Sequence, residues 1–290
     1  MSRYFVTGLS GFAGRHLETE LKASGREVVG SSFDLTDAAA VSAALADGGF
    51  DHVVHLAGIS HVAHGAADDF YRVNVLGTEN LLKAICAART KPRRVILAGS
   101  ANIYGAFAGE RPIPETAPVR PANHYGISKA AMEMMAANYA DRLPVTVVRP
   151  FNFTGPGQSP SFLIPKLVNA FVSKAPVVTL GNLDIARDFS DVRDIARYLR
   201  LLAESDAAPD AVNLCSGVSR SFRRVFDTLA EINGHRPEIV TDPSLVRANE
   251  IRVLTGDRSR LVGLLGDAAS ARDFDTTLAW MSDEARKAAR

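Results

Sequence analysis

Three glycines spaced three residues apart, Gly8, Gly11 and Gly14, sit between an apolar extended run, Tyr4 to Thr7, and the first amphipathic helical pattern. A strand that turns at once into a helix through Gly-Leu-Ser-Gly-Phe-Ala-Gly leaves few architectures open. The glycines let backbone N–H groups approach an anionic ligand and let the helix pack closely on the strand. The helix N-terminus adds its partial positive charge at the same place. Ser10, Phe12 and Ala13 lie between the glycines, so they join Gly8, Gly11 and Gly14 as candidates for binding the pyrophosphate of a dinucleotide. A tight turn with no ligand is the plainer alternative, and the position directly after the first strand argues against it.

Short β-branched runs alternate with longer Ala-, Leu- and Glu-rich segments through the first two-thirds of the chain. Strands are expected near 3–7, 26–30, 51–56, 93–98 and 144–149, and helices near 11–24, 37–46, 68–89 and 124–142. That order predicts an α/β fold with a doubly wound parallel sheet and right-handed crossovers. From Phe151 the pattern becomes irregular: Gly155, Pro156, Gly157 and Pro160 break the chain before a helix near 161–173. Residues 1–160 are read as a dinucleotide-binding domain and 161–290 as a smaller substrate-binding lobe. A helix near 191–203 and the apolar stretch Ala211 to Cys215 bring 181–217 back towards the sheet.

With 290 residues, 47% of them apolar, the chain can bury a large core. Its 33 basic and 32 acidic residues give a net charge of +1, without the basic footprint that nucleic acid requires. No apolar run approaches the roughly 18 residues of a membrane span. Met1-Ser2-Arg3 leads directly into the first strand, and Cys86 and Cys215 lack metal-type spacing, so a cytoplasmic protein with reduced thiols is expected. His52, His55, His61 and His64 invite a metal reading, but His52 and His55 fall on opposite faces of a strand and no carboxylate is suitably spaced, so none is expected. His61 and His64 are read as lining a substrate loop or as solvated.

Gly30-Ser31-Ser32 stands at the end of the second strand, where an Asp or Glu would bind the adenosine ribose of NAD. This leaves room for a 2′-phosphate. Arg15 can supply charge to that phosphate, or is simply solvated. NADPH is therefore the expected cofactor, with NADH also compatible. Asp34-Leu35 offers a carboxylate either to the adenine amino group or as a cap for the helix that follows.

Tyr125-Gly-Ile-Ser-Lys129 sets a phenol and an ammonium one helical turn apart. A positive charge about 4 Å from a phenol, at an effective dielectric of about 20, favours the phenolate by roughly 4 kcal/mol, or about three pKa units. Tyr125 can then trade protons with a carbonyl.

The ordered set Gly8/Gly11/Gly14, His55-Leu56-Ala57-Gly58, Asn74-Val-Leu-Gly-Thr78, Ser100-x-x-x-Tyr104-Gly105, Tyr125-x-x-x-Lys129 and Arg149-Pro150-Phe151-Asn152 resembles the successive motifs of the extended short-chain dehydrogenase/reductases. The resemblance covers nearly the whole chain. It implies a catalytic group of Asn74, Ser100, Tyr125 and Lys129, a cofactor beside Leu56, Ala57 and Gly58, and Pro150 near the nicotinamide amide. It further implies hydride transfer to a ketone while Tyr125 protonates the developing alkoxide, with Lys129 supporting Tyr125 and holding the nicotinamide ribose. Ser100 would share the substrate oxygen, its plainer reading being an N-cap, and Asn74 would orient backbone or water. A homodimer through the helices near 74–89 and 124–142 is expected on the same ground.

Within that superfamily the chain is most similar to GDP-mannose 4,6-dehydratases and, more so, to GDP-4-keto-6-deoxy-mannose reductases. The stretches that carry this are Arg149 to Gln158, Leu180-Gly-Asn-Leu-Asp-Ile-Ala-Arg-Asp188 and Arg247-Ala-Asn-Glu250. The resemblance implies that Asn152, Lys166, Arg187 and Arg247 face the sugar diphosphate and that Glu250 accepts from ribose hydroxyls. Ser100, Asn102, Leu180 and Asn182 complete the substrate side. Arg187 alternatively pairs with Asp188 or Asp191, and Glu250 with Arg247 or Arg252. The segment Asp273 to Arg290 departs from the family's proline-ended pattern.

A 4,6-dehydratase needs an extra carboxylate at Ser100-Ala101-Asn102 to expel water at the sugar C-6, and alanine and asparagine cannot supply it. The expected reaction is therefore NAD(P)H-dependent reduction of the C-4 ketone of GDP-4-keto-6-deoxy-D-mannose, to GDP-D-rhamnose or its C-4 epimer GDP-6-deoxy-D-talose. Another nucleotide-sugar 4-epimerase, a GDP-mannose 4,6-dehydratase-like enzyme and a non-catalytic dinucleotide sensor are the alternatives. The last has no use for an intact Ser/Tyr/Lys set.

Overall fold

A computed structural model describes residues 1–60, 66–105, 112–207, 209–245 and 252–289. Its strands are β1 (Arg3–Thr7), β2 (Glu27–Gly30), β3 (His52–His55), β4 (Arg94–Ala98), β5 (Val145–Pro150), β6 (Asn152–Thr154), β7 (Val177–Leu180), β8 (Ala186–Asp191), β9 (Ala211–Leu214), β10 (Ser219–Ser221), β11 (Glu238–Thr241) and β12 (Val253–Leu254). Its α-helices are α1 (Phe12–Ala23), α2 (Ala38–Leu45), α3 (Ala67–Tyr71), α4 (Thr78–Ala87), α5 (His124–Ala137), α6 (Leu163–Val172), α7 (Val192–Glu204), α8 (Phe222–Asn233), α9 (Ser259–Leu265) and α10 (Phe274–Ala288).

Six strands form one parallel sheet in the order β2-β1-β3-β4-β5-β9. Successive side chains alternate between its faces. Tyr4, Val6, Val54, Ile96 and Val148 pack with Leu17 and Leu21 of α1, Leu199 of α7 and Leu261 of α9. Phe5, Val53, Val95, Leu97 and Val147 pack instead with Val41 of α2, Leu81 of α4 and Met132 of α5. Both faces are buried, which explains the near-continuous apolar runs of these strands. After β2 the chain crosses back over β1 to β3, and the crevice beyond the ends of β1 and β3 is where such sheets bind ligands.

The helix expected over 68–89 is interrupted. Residues Arg72–Gly77 form a π-helical segment between α3 and α4. A buried chain of hydrogen bonds accounts for this. His55 Nδ1 lies 2.6 Å from Thr7 Oγ1 and Nε2 lies 2.8 Å from Thr78 Oγ1, while Thr78 donates to the Asn74 carbonyl at 2.7 Å. Because that proton of Thr78 is used, His55 must donate through Nε2 and accept at Nδ1. Burial pushes its pKa down to about 3, so the ring is neutral. The helix expected over 124–142 ends at Ala137, followed by turns that include Asn138 to Met135 and Leu143 to Tyr139 hydrogen bonds.

A second part of the molecule is built around β8. This strand pairs with β6 along Phe189–Asp191, with β10 in antiparallel register and with β12 at Ala186 and Arg187. Phe171, Phe189, Phe222, Phe226 and Phe274 fill the core between β8 and helices α6, α8 and α10. Ala101, Ile103, Tyr104, Phe151, Cys215 and Leu254 seal the junction with the main sheet. Among the described residues no helix is long and apolar enough to cross a membrane.

Candidate active site

At the crevice the glycine loop is dictated by space. Gly8 has φ +74°, and a Cβ there would lie 2.7 Å from the Ala57 nitrogen. A Cβ on Gly14 would lie 2.2 Å from the Gly8 carbonyl. Gly11, by contrast, is exposed and starts α1 without any side-chain cap. Ser10 is exposed beside it, while Phe12 and Ala13 open the helix with first-turn N–H groups that no side chain caps. A tightly backed, uncapped helix start fits a pyrophosphate. Leu56, Ala57 and Gly58 form the facing wall. A Cβ on Gly58 would fall 2.8 Å from Asn74 Oδ1 and 3.4 Å from Lys129 Nζ, so only backbone can line the cleft there.

Ser31 is half-buried just past β2, its N–H donating to Val6. Arg15 does not turn towards it: the guanidinium donates to the carbonyls of Ser10 at 2.6 Å and Gly157 at 3.2 Å, tying the glycine loop to the turn that follows β6. Asp34 is exposed and accepts from the Thr36 N–H, whereas the cap of α2 is Asp37, which accepts from Ala39 and Ala40. The capping alternative thus belongs to Asp37. Leu35 is buried against Gly77, and Pro150 ends β5 opposite Leu214.

The structure brings Ser100, Tyr125, Lys129 and Asn74 together. Ser100 Oγ accepts from the backbone N–H and Nδ2 of Asn102, both at 3.1 Å, and so caps the turn Ala101–Tyr104. Its side chain also hydrogen-bonds Tyr125, so the cap and a place beside the phenol coexist. Gly126 makes this possible: a Cβ there would lie 2.8 Å from the Asn102 carbonyl, and only glycine lets α5 begin against that turn. Asn123 caps α5 at Gly126 N–H, 2.8 Å away.

Burial raises the Tyr125 pKa, and the Ser100 hydrogen bond opposes the rise. Lys129 Nζ donates to the Ala98 carbonyl at 2.7 Å. Burial lowers its pKa to about 8, with Glu133 pulling the other way. The phenol is therefore held neutral and protonated, which is the state a proton donor needs. Asn74 clamps the wall: Oδ1 accepts from the Ile59 N–H at 2.9 Å, and Nδ2 donates to the Ile59 carbonyl and Ser128 Oγ.

Among the residues expected on the substrate side, Asn152 is exposed at the start of β6, and half-buried Lys166 on α6 donates to the Thr179 carbonyl at 2.6 Å. Leu180 is buried at the end of β7, and Asn182 Oδ1 accepts from Asp184. Arg187 donates through Nη1 to the carbonyls of Ala186 and Arg252. The two carboxylates considered as its partners are engaged elsewhere. Asp188 accepts from Ser216 N–H and Oγ, Gly217 and Gly256, and Asp191 caps α7 and pairs with Arg193. Arg247, Glu250, His61 and His64 lie outside the described residues. Among the described residues no group of three His, Cys, Asp or Glu is placed to hold a metal ion.

One charged residue behind the site, Glu133, escaped sequence reasoning, and Arg149 entered it only as part of a motif. The two form a pair with both side chains only 10% exposed. The spacing of Glu133 four residues after Lys129 was the available signal.

The model of the NAD dependent epimerase/dehydratase family matches residues 4–215. The chain is 37% identical over 270 residues to GDP-6-deoxy-D-talose 4-dehydrogenase of Aggregatibacter actinomycetemcomitans, covering 91% of this chain and 92% of that protein. It is 35% identical over 274 residues to GDP-6-deoxy-D-mannose reductase of Pseudomonas aeruginosa, covering 89% of each. The solved structure of RMD from Pseudomonas aeruginosa complexed with NADPH superposes with a TM-score of 0.90 at 31% identity, covering 99% of this chain and 98% of that one. The chain belongs to the NAD dependent epimerase/dehydratase family, within the extended short-chain dehydrogenases/reductases.

Proposed function

We propose that this protein is an NAD(P)H-dependent reductase of the C-4 ketone of a GDP-linked 4-keto-6-deoxy sugar. Its product would be GDP-D-rhamnose or the C-4 epimer GDP-6-deoxy-D-talose. The observation that carries the reading is a protonated Tyr125 beside Ser100 with, among the described residues, no second acid hydrogen-bonded to them. Among the described residues, no carboxylate hydrogen-bonds Ser100, Asn102 or Tyr125. Relatives named for a GDP-6-deoxy sugar dehydrogenase and reductase support the same substrate class.

The bound nicotinamide supplies hydride to the ketone carbon. Ser100 and Tyr125 hold the ketone oxygen from one side, and Tyr125 passes its phenolic proton to that oxygen as negative charge develops. Lys129, as an ammonium anchored on the Ala98 carbonyl, stabilises the phenolate that remains. Asn74 keeps the Ile59 backbone and the Gly58 wall in place. Gly8, Ser10, Gly11, Phe12, Ala13 and Gly14 take the pyrophosphate, with Ser31, Asp34 and Leu35 towards the adenosine and Leu56, Ala57, Gly58 and Pro150 towards the nicotinamide end. The open Gly30-Ser31-Ser32 corner supports NADPH over NADH, with Arg15 acting on the loop through Ser10. Asn152, Lys166, Leu180, Asn182 and Arg187, with Arg247 and Glu250, take the sugar nucleotide. We further propose a cytoplasmic homodimer, supported by the exposed Leu76, Ile127 and Met134 on the helices expected to pair, and a division of labour between residues 1–160 and a substrate lobe in 161–290.

Mixing the protein with GDP-4-keto-6-deoxy-D-mannose and NADPH should consume nicotinamide absorbance in proportion to sugar, and NMR of the product distinguishes the two C-4 epimers. A 4-epimerase would turn over without releasing oxidised cofactor, and a dehydratase would act on GDP-mannose itself. Absence of cofactor oxidation would sink the reductase reading.

A further inference from the structure

Glu133 lies one turn beyond Lys129 on α5, on the buried side. Arg149 grips its carboxylate with three contacts: Nη2 to Oε2 at 2.8 Å, Nε to Oε2 at 3.1 Å and Nε to Oε1 at 3.3 Å. The remaining hand of Arg149 donates to the Tyr104 hydroxyl at 2.9 Å and the Glu115 carbonyl at 2.8 Å. Tyr104 donates in turn to Asn213 Oδ1 at 2.8 Å. The residue before Ser100 is a glycine for a matching reason: a Cβ on Gly99 would lie 2.5 Å from Glu133 Oε1. Every partner around this carboxylate is arranged to keep it in one place.

We propose that Glu133 is a positioning residue: fixed by Arg149 and by the bare backbone at Gly99, it holds a buried negative charge behind Lys129 and keeps that lysine an ammonium. A buried lysine without a counter-charge gives up its proton, since burial disfavours the charged form. Among the described residues that face Lys129, the negative charge comes from Glu133. His55 on β3 is neutral, Asn74 and the Ala98 carbonyl are uncharged, and the Tyr125 phenol is held protonated. Arg149 on β5 is positive and paired with Glu133. The carboxylate of Glu115 is turned to the Asn213 N–H and Arg260. Burial raises the Glu133 pKa, and the Arg149 hydrogen bonds and charge and the Lys129 charge oppose the rise.

The inference rests on the proposed reaction only for its consequence in turnover, so its main test is read on the protein alone. The chain has seven lysines, and 13Cε-lysine NMR gives one titration curve for each, Lys129 being the signal lost in Lys129→Met. In Glu133→Gln, which keeps the shape and removes the charge, the Lys129 midpoint should fall by at least about one pKa unit, a tenfold change in the protonated ratio. Glu133→Asp, charged but shorter, should fall part way, and it carries the test if Glu133→Gln does not fold. An unmoved Lys129 midpoint overturns the proposal. In turnover, the alkaline limb of kcat should shift to lower pH in Glu133→Gln with KM unchanged; an equal loss at every pH would assign Glu133 a purely structural role.

Discussion

In the glycine loop the positions of Gly8, Gly11 and Gly14 follow from a single strand-to-helix turn and one neighbouring wall at Ala57, whereas Arg187 is placed by strands arriving from three distant parts of the chain, β6, β10 and β12. The first region is held by close backbone packing, in which one added methyl group has nowhere to go. The second is held by hydrogen bonds to a buried carboxylate, Asp188, that collects Ser216, Gly217 and Gly256 around β8. Rigid backbone suits a ligand group that never varies, and a side-chain-built surface suits one that does.

The comparison can be broken in several places. The largest effect is expected between the two regions, at the chemistry itself: Tyr125→Phe should lower kcat by at least about 100-fold while cofactor binding, followed by fluorescence titration, stays within a factor of two or so. Unchanged turnover would remove Tyr125 from its role. In the nucleotide region, Gly14→Ala puts a Cβ 2.2 Å from the Gly8 carbonyl and should cost about 3 kcal/mol, seen as a lower Tm and up to about 100-fold weaker cofactor binding. In the sugar-facing region, Arg187→Ala should raise KM for the GDP-sugar about 30-fold and leave the cofactor Kd alone; a matching rise in cofactor Kd would mean the two regions are not separable.

A pH series sharpens the same division. Lys129, with its pKa lowered to about 8, loses its charge as pH rises through that value, so kcat should fall about tenfold per unit above it while binding of the GDP-sugar persists. A flat profile to pH 10 would contradict this. The smallest effect is expected at Arg15. Its guanidinium binds Ser10 and Gly157 carbonyls and not the Ser31 corner, so Arg15→Ala should change the NADPH-to-NADH preference by less than about threefold. A loss of preference greater than tenfold would return Arg15 to the 2′-phosphate.

The strands β1, β3, β4 and β5 were legible because each is buried on both faces and reads as a short β-branched run, β2 because a short apolar run persists at a partly exposed edge, and the glycine loop because its spacing has a steric cause. The π-helical turn at Arg72–Gly77 was not, since it depends on Thr7 and Thr78 meeting His55 from distant segments. Nor could spacing reveal where Lys129 points. One helical turn brings its side chain to the same face as Tyr125, but the Ala98 carbonyl that captures the ammonium belongs to β4. Asp34 was open as a cap of the following helix, but it accepts from Thr36 in the preceding turn and Asp37 takes the cap. The extra acid at Glu133 went unread because its meaning comes from Arg149 and Gly99, residues on other strands and loops.

The central claim is that this site reduces a ketone at C-4 and does nothing else to the sugar. It is tested most directly by supplying NADPH carrying deuterium at the transferable nicotinamide position together with GDP-4-keto-6-deoxy-D-mannose. The account predicts one deuterium at C-4 of the product sugar, none at C-5 or C-6, and one NADP released per sugar. Product without deuterium at C-4, or turnover with no NADP released, would contradict it.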